Sequence, residues 1–157
     1  MKHIKKSLVG KILHINKTFA SHDGVSLNKR FMCVFSVESD HLMLMPMSAI
    51  HNEEIRNKKL KMATNFEYSR IHGNTRDVYI KCNQIYVLNE KDFSNFDEIT
   101  LVSQIKKEHF IKLQNHVKDL QQDSKTKFFK TTIMFKDLPK LIKKEQTTKQ
   151  KLDNYER

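Results

Sequence analysis

Phe31-Met32-Cys33-Val34-Phe35-Ser36-Val37, then Glu38-Ser39-Asp40, then His41-Leu42-Met43-Leu44-Met45-Pro46-Met47 is the stretch on which the fold turns. Two nearly continuous apolar runs of strand length, joined by three polar residues, spell a hairpin of two buried strands. Pro46 has no N–H to give to a ladder, so the second strand is expected to end or to reach a sheet edge there. On the N-terminal side, Leu8 to Ile15 has apolar residues at 8, 9, 12, 13 and 15, broken by Gly10-Lys11, and suits a bent opening strand. Asn16 to Lys29 is polar, contains Asp23-Gly24, and reads as a loop.

On the C-terminal side, Ser48 is a candidate N-cap for a short helix running to about Arg56, with Glu53 and Glu54 near its first turns. Lys58 to Tyr68 is basic and leaves room for one weak strand, and Ile71 to Arg76 is another loop. Asp77 to Cys82 alternates with period two, and Ile85-Tyr86-Val87-Leu88 continues as strand after polar Asn83-Gln84. Short strands separated by polar turns predict a small barrel or sandwich. The period changes after about residue 102. There Ser103 can cap a helix whose apolar face is Phe110, Leu113, Val117 and Leu120. Phe128-Phe129, Ile133-Met134-Phe135, Leu138 and Leu141-Ile142 suggest a second helical stretch interrupted at Pro139, and residues 145–157 are polar. The expected fold class is mainly β with α additions: a small barrel with a short helix after its third strand and a C-terminal helical segment. A barrel domain with a packed helix would occupy residues 1–124, and a basic, partly helical extension residues 125–157.

Composition narrows the function classes. The chain has 157 residues, 38% hydrophobic, and ten Phe and four Tyr are enough to anchor one core. Only three Gly are present and no GxGxxG or GxxxxGK[ST] occurs, so nucleotide folds built on a Gly-rich turn are unsupported. No apolar run approaches the roughly 20 residues of a membrane span. The apolar segment after the basic start is too short for a signal peptide, and a soluble, cytoplasmic protein is the expectation. Cys33 and Cys82 lack CxxC partners and read as buried thiols, or as a disulfide only if their strands are neighbours. Eight histidines show no HxxxH or HExxH spacing on a predicted helix, and no GxSxG marks a hydrolase elbow. Neither a metal nor a cofactor is expected.

The net charge is +11. Residues 1–100 carry 15 basic and 11 acidic side chains, against 14 and 7 in residues 101–157. Such a field favours polyanions, of which nucleic acid is the commonest; the alternative is a basic surface with no ligand.

Three places have residue types suited to a phosphate. Asn28-Lys29-Arg30 is a basic pair at the mouth of an apolar strand, or merely a solvated strand end. Pro46-Met47-Ser48 brings a hydroxyl to a strand end that also opens a helix, where free N–H groups and the dipole suit an anion, or where Ser48 is a plain cap. Lys81-Cys82-Asn83-Gln84-Ile85 sets a polar pair in an apolar strand, either structural or part of a site.

These elements resemble, in their order and spacing over roughly residues 8–120, the MazF/PemK-type toxins. The elements are Gly10-Lys11-Ile12, Lys29-Arg30-Phe31, Met45-Pro46-Met47-Ser48 and Lys81-Cys82-Asn83-Gln84-Ile85. The resemblance implies an SH3-like barrel, usually dimeric, that cleaves single-stranded RNA without a metal and is restrained by an antitoxin. ToxN-like toxins of RNA-antitoxin systems share that barrel and add a helical C-terminal part, so the antitoxin could be protein or RNA. The chain departs from the pattern in having Phe31 where Arg-Pro is usual, Ser48 for the common Thr, and no Gly-x-Glu-Gln before Arg30. Metal-free cleavage by the substrate 2′-OH needs a base, an acid and donors for the phosphorane. Arg30 suits phosphate stabilisation, Ser48 can hold a phosphoryl oxygen, and His51 is the acid–base candidate, or else a surface residue. Lys29, Lys81, Asn83 and Gln84 are the candidates for RNA binding. The competing class is a non-catalytic barrel that binds nucleic acid or a protein target, such as a gyrase poison or a phage-encoded inhibitor.

Overall fold

In the computed structural model, which describes residues 7–95 and 97–135, the hairpin read from the sequence is the centre of the sheet. The strands are β1 (Lys11–Ile15), β2 (Phe19–Ala20), β3 (Ser26–Leu27), β4 (Arg30–Glu38), β5 (His41–Ala49), β6 (Asn65–Tyr68), β7 (Val78–Lys81), β8 (Gln84–Asn89), β9 (Ile99–Gln104) and β10 (Phe129–Thr132). The helices are α1 (Glu53–Leu60), α2 (Glu90–Asn95) and α3 (Lys107–Gln122). The chain is mainly β with helical additions. Its large sheet runs β10-β8-β5-β4-β1-β9, with β7 also on β5 and β6 on β7, while β2 and β3 form a separate ribbon inside the long polar loop. All pairings in the large sheet are antiparallel except that of β10 with β8.

The sheet branches at β5. Its first half pairs with β8, from His41 opposite Asn89 to Leu44 opposite Tyr86, and its second half with β7, from Met47 opposite Ile80 to Ala49 opposite Val78. Between these registers the chain from Lys81 to Ile85 bulges out over the span of Met45 and Pro46. The N–H that proline lacks thus falls where β7 and β8 part, and β5 runs on to Ala49 instead of ending at Pro46.

Alternation gives the sheet two apolar faces, and both are buried. One face places Leu13, Ile15, Met32, Val34, Leu42, Leu44 and Leu88 under Phe19, Ile133 and Phe135. The other places Ile12, Cys33, Met45, Met47, Ile80 and Cys82 under Leu113, Val117 and Leu120 of α3. Both cysteines are buried, free thiols, and burial pushes their pKa values up. Gly10 precedes β1 at a φ of +87°, a conformation that favours glycine, and produces the bend expected at Gly10-Lys11. Arg56 of α1 bonds Glu53 at 3.0 Å and Asp77 at 2.9 Å and also contacts Glu67, tying α1 to the β6–β7 ladder. Among the described residues no helix is long and apolar enough to cross a membrane.

Three local expectations are corrected. Ser48 is not an N-cap: it lies in β5 opposite Tyr79, and the cap of α1 is Asn52, whose side chain accepts from the Ile55 N–H at 2.8 Å. Ser103 is likewise a strand residue, in β9, and α3 starts after Lys106 without a side-chain cap. In each case a distant partner strand claims the serine backbone, which no local cap signal reveals. The second helical stretch is not formed over residues 129–132. Phe129–Thr132 is β10, and Ile133 and Phe135 enter the core, because the free edge of β8 offers a ladder to a segment too short to hold a helix alone. The remainder of that stretch, with Pro139, lies outside the described residues, as does most of the extension placed at 125–157.

Helix α3 is also held through its histidines. The Nε2 of His109 is 2.8 Å from the carbonyl oxygen of Glu67, and its ring stacks on His72 and Tyr68 with centroids 4.3 and 5.1 Å away. Burial, with repulsion from His72 and Lys112, lowers its pKa to about 4. A group whose pKa is lower folded than unfolded favours unfolding when protonated. Its neutral form therefore supports the fold above pH 6.5, and that support disappears as pH falls through about 4. Stability is expected to drop on the order of 1–3 kcal/mol across this window. In denaturant melts at pH 7 and pH 4, His109→Gln should narrow the difference. Equal differences in the two proteins would remove His109 from the acid response.

Candidate phosphate-binding cleft

Arg30 opens β4 one position before Phe31, which pairs with Met47, so Arg30 stands beside Ser48 across the ladder. Ser48 pairs with Tyr79 of β7, and Lys81 lies two residues on, pointing to the same side. Period-two alternation thus lines up Arg30, Ser48 and Lys81 from three adjacent strands on one sheet face. They line a cleft of about 210 Å³ together with Pro46, Gln84 and Tyr86. The opposite wall is the polar loop, which contributes Ser21, His22 and Asp23.

The loop is fixed by its own turn and by the sheet. Ser21 N–H donates to the Val25 carbonyl at 2.7 Å, and the Ser21 hydroxyl accepts from Val25 N–H at 2.9 Å and also contacts the Asp23 carboxylate. The His22 N–H donates to the Tyr86 hydroxyl at 3.4 Å. The His22 ring packs on Phe129 of β10 with centroids 4.3 Å apart. Strand β10 therefore packs directly against a cleft side chain.

The electrostatics favour an anion. Arg30 Nε and His22 Nδ1 are buried with no hydrogen-bond partner among the described residues. Such orphaned polar atoms are uncommon in folded proteins and suit a ligand that supplies acceptors. Burial pulls the Lys81 ammonium below the usual lysine range, and repulsion from Arg30 and Lys59 adds to this. A phosphate between these groups relieves both their desolvation and their repulsion. Asp23 is the one acid in the lining, its carboxyl held below its ordinary pKa chiefly by the Ser21 hydroxyl.

Of the residues singled out in the sequence, Arg30, Ser48, Lys81 and Gln84 meet in this cleft. Three do not. Lys29 is exposed at a φ of +56° outside the lining. His51 is exposed after β5, since no helix starts at Ser48 to turn it inward. Asn83 donates to the Lys127 carbonyl at 3.2 Å and fastens the segment leading to β10. His22, Ser21 and Tyr86 join the site unannounced. The only sequence signal for the first two was proximity to Asp23-Gly24, the turn that folds the loop back over the strands. Among the described residues no three His, Cys, Asp or Glu side chains gather as a metal-binding group. No protein-family model matches the chain, and no curated protein matches it either.

Proposed function

We propose that the chain is an endoribonuclease that cleaves single-stranded RNA without a metal and acts as the toxin of a toxin–antitoxin pair. The observation carrying this reading is the row of Arg30, Ser48 and Lys81 across three strands, faced by His22 over one cleft. The motif order that resembles MazF/PemK-type and ToxN-like toxins supports it, since the residues quoted for that likeness at positions 30, 48, 81 and 84 are cleft residues. In this reading the substrate 2′-oxygen attacks the adjacent phosphorus and the bond to the 5′-oxygen breaks, leaving a 2′,3′-cyclic phosphate and a 5′-hydroxyl with no water consumed. Histidine is the side chain suited to exchanging protons, and His22 takes the one from the 2′-OH. Lys81, with its lowered pKa, gives one to the leaving 5′-oxygen. Arg30 and the Ser48 hydroxyl face the phosphorane, whose extra charge they stabilise more than that of the ground state.

The test is incubation with a long RNA in EDTA, followed by end-group analysis. Discrete fragments ending in 2′,3′-cyclic phosphate are expected. Intact RNA beside a clean mobility shift would replace the nuclease by a binding protein. RNA left neither cut nor shifted would remove the cleft from nucleic-acid chemistry.

A further inference from the structure

Helix α1 lies on the sheet face that carries Ser48 and Lys81, and β6 holds it there. Asn65 of β6 is opposite Lys81 and Glu67 is opposite Tyr79, so both side chains point to that face, while Phe66 and Tyr68 join the core on the other. Glu67 contacts Arg56, and the Asn65 amide donates to the Lys59 carbonyl at 3.0 Å, which fixes the last turn of α1 beside Lys81. The Cys82 N–H closes the same corner by donating to the Thr64 carbonyl at 2.7 Å.

The end of α1 is basic. Lys58, Lys59 and Lys61 follow Arg56 with no acid before Glu67. Arg56 is engaged by Glu53, Glu67 and Asp77, whereas half-buried Lys59 makes no ion pair among the described residues. The Met62 N–H also donates to the Lys59 carbonyl, at 3.2 Å, so the negative end of the helix dipole is partly covered. Seen from Arg30 on β4, the order β4-β5-β7-β6 puts Lys59 beyond Lys81, close enough to repel it. At a strand spacing of roughly 4.8 Å the row from β4 to β6 is about 15 Å long. Lys59 is outside the cleft lining. One phosphate cannot reach both ends of this row, and a strand with a phosphate at every nucleotide can.

We infer that the RNA strand crosses the sheet from β4 toward α1, with Lys59 holding the phosphate next to the one in the cleft. The inference rests on the RNA reading of that cleft and adds the direction of the strand to it. Lys81 stands between the two phosphates, and its repulsion by Arg30 on one side and Lys59 on the other is relieved when both are bound. Exposed Lys58 and Lys61 flank Lys59 in the chain and extend the positive field over the path beyond it.

The experiment titrates two 2′-O-methyl RNAs, a dinucleotide with a single phosphodiester and a hexanucleotide, into the full chain and its Lys59→Gln, Lys91→Gln and Arg30→Ala variants, followed by NMR. Lys59→Gln is expected to bind the dinucleotide as the wild type does and the hexanucleotide roughly two- to fivefold more weakly. Its salt slope on the hexanucleotide should be shallower by about 0.7, the share of one phosphate on a single strand. Lys91 is exposed on α2, at the end of β5 away from Ser48, and Lys91→Gln should bind both RNAs as the wild type does. Wild-type hexanucleotide affinity in Lys59→Gln, equal losses on both RNAs, or a loss as large in Lys91→Gln would overturn the path. In those cases Arg30→Ala still losing affinity for the dinucleotide would leave the phosphate cleft standing. Arg30→Ala with undiminished dinucleotide affinity would bring down the cleft and the path with it.

Discussion

Arg30→Ala is expected to lower RNA cleavage on the order of 10²–10³, by analogy with the loss of one oxyanion donor, while the melting temperature stays level or rises. The two halves have one cause. The Arg30 Nε is buried without a partner among the described residues, so in the free protein the desolvation of that one donor is not offset by a hydrogen bond. Lys81 feels the Arg30 charge as repulsion, and alanine removes both penalties. The same groups become favourable when a phosphate arrives, and most favourable when the phosphorane adds charge. A structural arginine behaves in the opposite way, its removal lowering stability more than rate. Thermal melts and single-turnover cleavage on the same preparation separate the two. A folded Arg30→Ala protein with full activity would place the chemistry elsewhere.

A chain stopped after residue 124 is expected to lose most of its stability, and with it all activity. The sequence reading treats residues beyond that point as an extension, whose removal would cost only basic charge. In the structure they include β10 on the edge of β8 and the core residues Ile133 and Phe135, 2% and 3% exposed. Emptying one such site costs about 2–5 kcal/mol. Losing two of them with a strand therefore consumes much of the roughly 5–15 kcal/mol that holds a domain together. Phe129→Ala is the selective counterpart. Phe129 is 41% exposed but supports the His22 ring, so this variant should melt near wild type and cleave more slowly. A truncated chain that melts cooperatively at the wild-type temperature would return β10 to the status of an appendage. Wild-type cleavage by Phe129→Ala would free His22 from any dependence on β10.

The parts legible in the sequence were those written in local periodicity. The β4–β5 hairpin, the alternation of Val78, Ile80 and Cys82, and the apolar stripe Leu113, Val117 and Leu120 all appear where their spacing puts them. Arg30, Ser48, Lys81 and Gln84 were nameable because each sits at a junction of polar and apolar residues. What local reading missed depends on pairing between distant segments. Ser48 and Ser103 have the residue type of a helix cap, yet the strands β7 and β1 claim their backbones. Phe129 to Thr132 becomes strand only because β8, some forty residues earlier in the chain, has an open edge. His51 is the acid–base candidate of the sequence because a helix starting at Ser48 would set it one turn from that hydroxyl, and that helix does not start there. The histidine that does line the cleft, His22, comes from a loop whose fold back onto Tyr86 has no periodic trace.

Every residue lining the phosphate cleft lies between Ser21 and Tyr86, whereas the strands at both ends of the main sheet path, β9 and β10, follow residue 98. A ribosome makes the N-terminal part first, so the cleft residues leave it before the framework that aligns them. Lys11 must wait for Gln104, and Gln84 for Phe129, before the sheet is complete. Such long-range closures slow folding. The nascent chain thus carries every residue of the cleft in a form that cannot yet assemble it, and the interval before β9 and β10 dock is when a cell can still capture or destroy the unfinished chain.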